Sequence, residues 1–149
     1  MINWSQLKPY RTTKQKGFEQ LCYQVAVKLF DGQGRFTPID DSGGGDGVEF
    51  YLTLHTGKVW GWQAKFYDGS PRLRESNRKK AIKGSLKRAL EVHPALTRWY
   101  LCLPMDLTTE EQKWVDEMLP AAIPADRQVE FIPWPESFFH EKLNLPAFN

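Results

Sequence analysis

The chain has 149 residues, 41% of them hydrophobic, which is enough for one domain with its own hydrophobic core. Its formal net charge of +2 does not by itself indicate a nucleic-acid-binding protein, so any basic surface must come from local clustering of lysine and arginine. The sequence shows no secretory signal and no apolar run long enough to span a bilayer. We therefore expect a single cytoplasmic domain without a membrane partner.

The first predicted element is a helix over residues 13–30, because apolar residues recur there at the spacing of one helical face. Its expected buried stripe consists of Phe18, Leu21, Cys22, Val25 and Leu29. Glu19 lies about 100° around the helix from the centre of this stripe, so it either reaches the sheet or remains a solvated carboxylate on the helix flank. A short edge strand is expected over residues 35–39, although Pro38 weakens that prediction.

A β-hairpin is predicted within residues 47–67, because two runs rich in aromatic and β-branched residues flank a short connection that contains Gly57. If Gly57 is the left-handed residue of a three-residue loop, Glu49 lies opposite Gln63, and Lys65 falls on the same face. A two-residue loop would instead place Glu49 beside Ala64. The first register predicts one polar face and one apolar face. The apolar face would carry Phe50, Leu52, Trp60, Trp62 and Ala64.

Five further elements are predicted from periodicity, turn residues and helix-capping residues. They are a helix over about residues 75–92, a strand over 99–103, a helix from Thr108 or Thr109 to about Leu119, a strand over 129–132 and a short helix after Pro135. The inward face of the helix over 75–92 is expected to carry Ile82, Leu86, Ala89 and Leu90. The prediction is an α/β fold in the order α-β-β-β-α-β, followed by α-β-α.

The most basic run of the chain lies on the helix over 75–92 and on the residues that precede it. Its candidate DNA-binding residues are Arg72, Arg74, Arg78, Lys80, Lys83, Lys87 and Arg88. Four of them project away from the apolar face of that helix, which would suit contacts with phosphates. The alternative is an ordinary solvated helix face. No base-reading motif is visible, so such a surface would bind nucleic acid without sequence preference.

The segments Gly47–Glu49 and Gln63–Lys65 together resemble the Mrr-like branch of the PD-(D/E)xK nuclease superfamily. The pattern of that branch is G-[VI]-D, a short hairpin and Q-x-K, and this chain departs from it in having Glu49 at the position of the aspartate. Asp46 lies three residues earlier and is the alternative principal metal ligand. The wider segments GGDGVEFYLTL, IKGSLKRALEVHPALTRWYLCLPMDLT and FIPWPES resemble more narrowly the N-terminal nuclease domain of antiviral STAND NTPases, the Avs group.

This resemblance implies a restriction-endonuclease-like core, with a mixed central sheet flanked by helices, that cleaves double-stranded DNA with Mg²⁺, for which Mn²⁺ can substitute. It also implies homo-oligomerisation for double-strand cleavage, a role in antiphage defence, and activation by a fused NTPase in a longer protein. Glu19 matches the FE-x-L context of an active-site glutamate in Mrr-like enzymes. The implied metal ligands are Glu49, Asp46, Gln63 and Glu19. Lys65 would position or activate the attacking water. The alternative interpretation is that Lys65 is an ordinary lysine on a strand.

Two other functions are compatible with the same sequence. One is a non-catalytic module that binds nucleic acid or protein on the same fold. The other is a nuclease that acts on RNA or on branched DNA, because the metal chemistry would be similar. An acid, a glutamine and a lysine in one register favour a nuclease over the non-catalytic module.

Overall fold

The computed structural model describes residues 2–4, 13–39, 46–66 and 76–144, which form an α/β structure with a five-stranded mixed sheet. The helices are α1 (Lys14–Leu29), α2 (Ser76–Val92), α3 (Thr109–Lys113) and α4 (Glu136–Leu143). The strands are β1 (Gly34–Pro38), β2 (Phe50–Leu54), β3 (Val59–Ala64), β4 (Leu96–Cys102) and β5 (Glu130–Trp134). The predicted order of elements is confirmed. Within these residues, no helix is both long and apolar enough to cross a membrane.

The strands follow one another across the sheet in the order β1-β2-β3-β4-β5. Strand β2 is antiparallel to both β1 and β3, whereas β3, β4 and β5 run parallel to one another. Parallel neighbours require a crossover, and α2 lies in the connection between β3 and β4. This topology brings the carboxyl ends of β3 and β4 to the same edge of the sheet.

The hairpin of β2 and β3 has the predicted register. Phe50 pairs with Trp62 and Thr53 pairs with Val59. The loop closes when the Leu54 amide donates to the Lys58 carbonyl at 2.8 Å, and Gly57 has a φ of 90°. Because that angle is in the left-handed region, a glycine suits the position. The three-residue loop is therefore confirmed, and the two-residue alternative is wrong.

One face of the sheet packs against α1 and α4 through an aromatic core. Trp62 stacks between Phe50 and Tyr100, with ring centroids 5.0 and 4.4 Å apart. Phe18 of α1 and Phe139 of α4 are fully buried in the same cluster. This is the predicted apolar face of the hairpin, and it contains all five of the predicted side chains.

The opposite face of the sheet is also a core, so the prediction of a polar face is wrong along most of its length. Helix α2 covers this face with the predicted inward residues, all of them buried. They are Ile82, Leu86, Ala89 and Leu90. They pack in one cluster with Val59, Trp99 and Leu101 of the sheet. Gln63 and Lys65 lie at one end of this face. A sheet between two helical layers buries both of its surfaces.

Several strand boundaries differ from the predictions, and two of the differences are larger than one residue. Strand β4 begins at Leu96, three residues before the predicted start, because its first residues pair in parallel with the start of β3. Strand β5 continues beyond the predicted end to Trp134 and includes Pro133. A proline is tolerated there because β5 is an outer strand of the described sheet, where an amide on the open side has no partner strand.

Helix α3 begins where its capping residues predict. The Thr108 side chain accepts from the Glu111 amide at 3.2 Å, and the Glu111 carboxylate accepts from the Thr108 amide at 2.8 Å. This reciprocal pair is a capping box. The helix continues as a π-helical turn over Trp114–Met118. The predicted end near Leu119 is thereby confirmed.

Candidate functional site

Glu49 and Gln63 meet at the end of the β2–β3 hairpin, as the register requires. The Glu49 amide donates to the Trp62 carbonyl at 2.6 Å, which continues the strand pairing by one residue. The Gln63 side-chain nitrogen Nε2 donates to Glu49 Oε1 at 2.5 Å. Gln63 is only 5% exposed. The pair is therefore a partly buried polar contact between the residue that precedes β2 and the end of β3.

Glu19 reaches this pair from helix α1. Its neighbour Phe18 anchors the helix in the aromatic core, and the Glu19 side chain is 15% exposed. Its carboxyl group lies close enough to Glu49 for its charge to add to the effect of burial, which raises the pKa of Glu49. The prediction that Glu19 reaches the sheet is confirmed, and the interpretation as a solvated flank residue is wrong.

The Glu49 and Glu19 carboxyl groups have different surroundings. Burial, followed by the charge of Glu19, raises the pKa of Glu49 from 4.5 to about 7. Glu19 Oε2 accepts from Gln15 Nε2 at 2.8 Å, and Glu19 Oε1 accepts from Lys16 Nζ at 3.2 Å. Both oxygens of Glu19 therefore have hydrogen-bond donors.

Lys65 follows the last residue of β3, and its amide donates to the Cys102 carbonyl at 3.0 Å. Burial lowers the pKa of Lys65, and the charges of Glu49 and Glu19 partly oppose that shift. A lysine with a lowered pKa releases its proton more readily than a surface lysine. The structure therefore brings four of the five predicted catalytic residues together. They are Glu19, Glu49, Gln63 and Lys65.

Asp46, the fifth, lies against a different partner. Its Oδ2 is 3.8 Å from His93 Nε2, just beyond the end of α2. The backbone at Gly47 lies so close to α2 that an added Cβ would be 2.1 Å from the Ser85 carbonyl oxygen. Its φ of 72° is also in the left-handed region, which favours glycine. Trp99 Nε1 also donates to the Gly47 carbonyl at 3.1 Å. Of the two candidate acids, Glu49 lies with Glu19, Gln63 and Lys65, whereas Asp46 lies with His93.

The oxygen donors of this cluster suit hard divalent cations such as Mg²⁺ and Mn²⁺ more than softer transition-metal ions. In the part of the chain that the structure describes, no group of three or more His, Cys, Asp or Glu side chains is arranged to hold a metal ion. The cluster offers two carboxylates and the amide of Gln63, whose nitrogen faces Glu49. Mg²⁺ needs only one or two carboxylates because it retains several waters. A bound cation would also be favoured because burial, followed by the charge of Glu19, raises the pKa of Glu49, and a cation would offset that charge.

Two residues of the cluster, Gln15 and Lys16, were not predicted from the sequence. Both lie in the first turn of α1, where Thr13 caps the helix by accepting from the Lys16 amide at 3.0 Å. Gln15 and Glu19 are four positions apart, a spacing that places two side chains on the same helix face. That spacing is the signal that would have identified Gln15 once Glu19 was assigned to the site.

The predicted DNA-binding residues are only partly described. Arg72 and Arg74 lie outside the described residues, and Arg78 is half-buried. The other four are exposed along α2 and are called the basic stripe below. They are Lys80, Lys83, Lys87 and Arg88. Arg88 also lies 3.5 Å from Glu91, an ion pair of two exposed side chains.

Neither a protein-family model nor a curated protein matches this chain.

Proposed function

We propose that this chain is a metal-dependent DNA endonuclease domain with a restriction-endonuclease-like core. The observation that carries the proposal is the convergence of Glu19, Glu49, Gln63 and Lys65 at one end of the sheet. These residues come from a helix, from the residue preceding β2, and from the end of β3. Two partly buried carboxyl groups near a partly buried lysine are costly to maintain in a structural role, and shifted pKa values of this kind concentrate at functional sites.

Glu49 and Glu19 would hold Mg²⁺ or Mn²⁺, with the Gln63 amide oxygen as a neutral third ligand after rotation of its side chain. The bound ion would lower the pKa of a coordinated water and offset charge on the scissile phosphate. Glu49 must lose its proton for the ion to bind. Gln63 supplies no charge, so the second carboxylate, Glu19, is needed.

Lys65 supplies the remaining function of the site. Its lowered pKa gives it a larger neutral fraction than a surface lysine has at the same pH. The neutral amine can accept a proton from the attacking water, and the protonated form can offset negative charge on the phosphate. Both roles require Lys65 to stay close to the carboxyl pair.

The basic stripe on α2 would bind the DNA backbone. It presents four exposed cations on one helix face, within the run that Arg72, Arg74 and Arg78 extend. Contacts of this kind give affinity without sequence choice and weaken as the salt concentration rises. Cleavage of both strands would then use two copies of the domain. We propose that the domain is part of a longer antiphage-defence protein and that it is activated when this protein assembles through a fused NTPase module.

The test is a plasmid-nicking assay with purified protein at high concentration and MgCl₂. Glu49→Ala and Lys65→Ala should abolish nicking. Lys58→Ala is the matched control, because Lys58 is exposed at the turn of the same hairpin, at its opposite end. Nicking by Lys65→Ala at the wild-type rate would refute the proposed site. Parallel assays with RNA and with a four-way junction identify the substrate class.

One observation favours the alternative of a non-catalytic binding module. The Gln63 nitrogen, not its oxygen, faces Glu49, and only two carboxyl groups meet in the described cluster. A protein that binds DNA but neither binds Mn²⁺ nor nicks any of the three substrates would have this second function.

A further inference from the structure

Gln15 makes three hydrogen bonds at the end of the sheet through its single side-chain amide. Its Nε2 donates to Glu19 Oε2 at 2.8 Å and to the Ala64 carbonyl at 3.1 Å. Its Oε1 accepts from the Phe66 amide at 2.9 Å. Both hydrogens of the nitrogen therefore have acceptors, and the oxygen has a donor.

Two backbone groups fix which way this amide points. A peptide carbonyl can only accept a hydrogen bond and a peptide N–H can only donate one, so the nitrogen must face Ala64 and the oxygen must face Phe66. The second hydrogen of the nitrogen then points at Glu19. The orientation of the donor to Glu19 is consequently set by the backbone of the sheet.

The two backbone groups flank Lys65. Ala64 is the last residue of β3, and Phe66 lies one residue beyond Lys65. One side chain from α1 thus binds the chain on both sides of Lys65 and also binds Glu19. Lys16 holds the other oxygen of Glu19 at 3.2 Å, so the carboxylate is fixed from two directions.

We propose that Gln15 is a positioning residue that sets the placement of Glu19 relative to Lys65 and Glu49. The proposal rests on the proposed nuclease function, because it assigns Glu19 to the metal site. Gln15 itself contacts neither the metal nor DNA. It acts by keeping the Glu19 carboxylate against Glu49 and by keeping the end of β3 against α1.

The test compares Gln15→Met and Gln15→Glu with wild type, with Mn²⁺ affinity measured by electron paramagnetic resonance. Methionine keeps the length of the side chain and loses all three hydrogen bonds. Glutamate can still accept from the Phe66 amide but cannot donate to Glu19. Both variants should bind Mn²⁺ about tenfold more weakly, as is typical when a partner that orients a metal ligand is lost. Their kcat should fall while KM for DNA stays unchanged.

Gln112→Met is the matched control. Gln112 donates to Asp116 at 2.9 Å across the same four-residue spacing, on α3 and its π-helical turn. This variant should keep wild-type Mn²⁺ affinity and kcat. If Gln15→Glu restores wild-type affinity and kcat, only the contact with Phe66 matters and the proposal is wrong. Wild-type Mn²⁺ affinity in Gln15→Met also refutes it.

A measurement on metal-free protein separates this proposal from the proposed function. The titration midpoint of the Glu49 carboxyl, followed by ¹³C NMR, should fall in Gln15→Met, because Glu19 is then free to move away. Gln112→Met should leave it unchanged. If wild-type protein binds no Mn²⁺, the proposed function fails, and the midpoint alone decides the role of Gln15. An unchanged midpoint in Gln15→Met refutes the positioning role.

Discussion

Glu19 on helix α1 lies beside Glu49, the residue that precedes strand β2. This contact joins a helix to the hairpin at the position where Gln63 and Lys65 also lie. Burial of Glu49, followed by the charge of Glu19, raises the pKa of Glu49 to about 7.

Glu49→Gln should stabilise the metal-free protein at alkaline pH. The pKa of Glu49 is raised from 4.5 to about 7, so the folded state binds its proton more tightly than the unfolded state does. Stability from this group is therefore greatest below pH 4.5, falls as the pH rises to about 7, and is constant above that. A shift of this size corresponds to a loss of about 3 kcal/mol.

Urea unfolding at pH 5 and pH 8 checks this prediction. The free energy of unfolding of Glu49→Gln should exceed that of wild type at pH 8, and the gap should narrow at pH 5. Glu117→Gln is the control, because Glu117 is exposed. A gap that is absent at pH 8, or wider at pH 5, would contradict the raised pKa.

Divalent-cation binding should be pH-dependent with its midpoint near the pKa of Glu49. A proton on Glu49 competes with the ion, so Mn²⁺ affinity should rise with pH and level off above about 7. Below the midpoint, affinity should fall about tenfold for each pH unit, since one proton is displaced. Electron paramagnetic resonance between pH 5.5 and 8.5 measures this profile. A flat profile would mean that Glu49 is not a ligand.

Asp46 and Glu49 should differ sharply in their effect on metal binding. Glu49→Ala removes a member of the carboxyl pair, and its loss of Mn²⁺ affinity should exceed the about tenfold effect typical of an outer-shell change. Asp46→Ala should leave Mn²⁺ affinity near that of wild type, because Asp46 faces His93. Isothermal titration with Mn²⁺ distinguishes the two variants. The reverse order of effects would make Asp46 the principal ligand.

Neutralising the basic stripe should change both the affinity for DNA and its salt dependence. The double substitution Lys83→Gln and Lys87→Gln removes two exposed cations from one face of α2. If each contacts a phosphate, the slope of log affinity against log salt should become shallower by about 1.8. Fluorescence anisotropy with a labelled duplex at several salt concentrations gives the slope. Lys113→Gln, at an exposed lysine on α3, should not alter it.

The sequence predicted those parts of the structure that depend on local pattern. The register of the hairpin followed from the position of Gly57 and from alternation, and both act within a few residues. It placed Glu49 opposite Gln63 correctly. The same reasoning wrongly predicted that the other face of the hairpin is polar, whereas α2 covers that face. The prediction failed because periodicity within one hairpin carries no information about which element packs on it.

Two contacts of the site could not be predicted from local pattern. The contact of Asp46 with His93 depends on how the end of α2 packs against the chain at Gly47, and these two segments are far apart in sequence. The contacts of Gln15 with Ala64 and Phe66 join residues 49 and 51 positions apart. Only the folded arrangement of α1 on the sheet brings these groups together.

The alternation along β3 limits how the length of this hairpin can vary. Trp62 and Ala64 point into the aromatic core, while Gln63 between them faces Glu49. Inserting one residue within β3, ahead of Trp62, would exchange these directions, so that Trp62 would take the place of the glutamine and the glutamine would enter the core. Insertions at the exposed turn of His55, Thr56 and Gly57 leave both strands in phase. Viable length variants of this chain should therefore have their insertions at that turn.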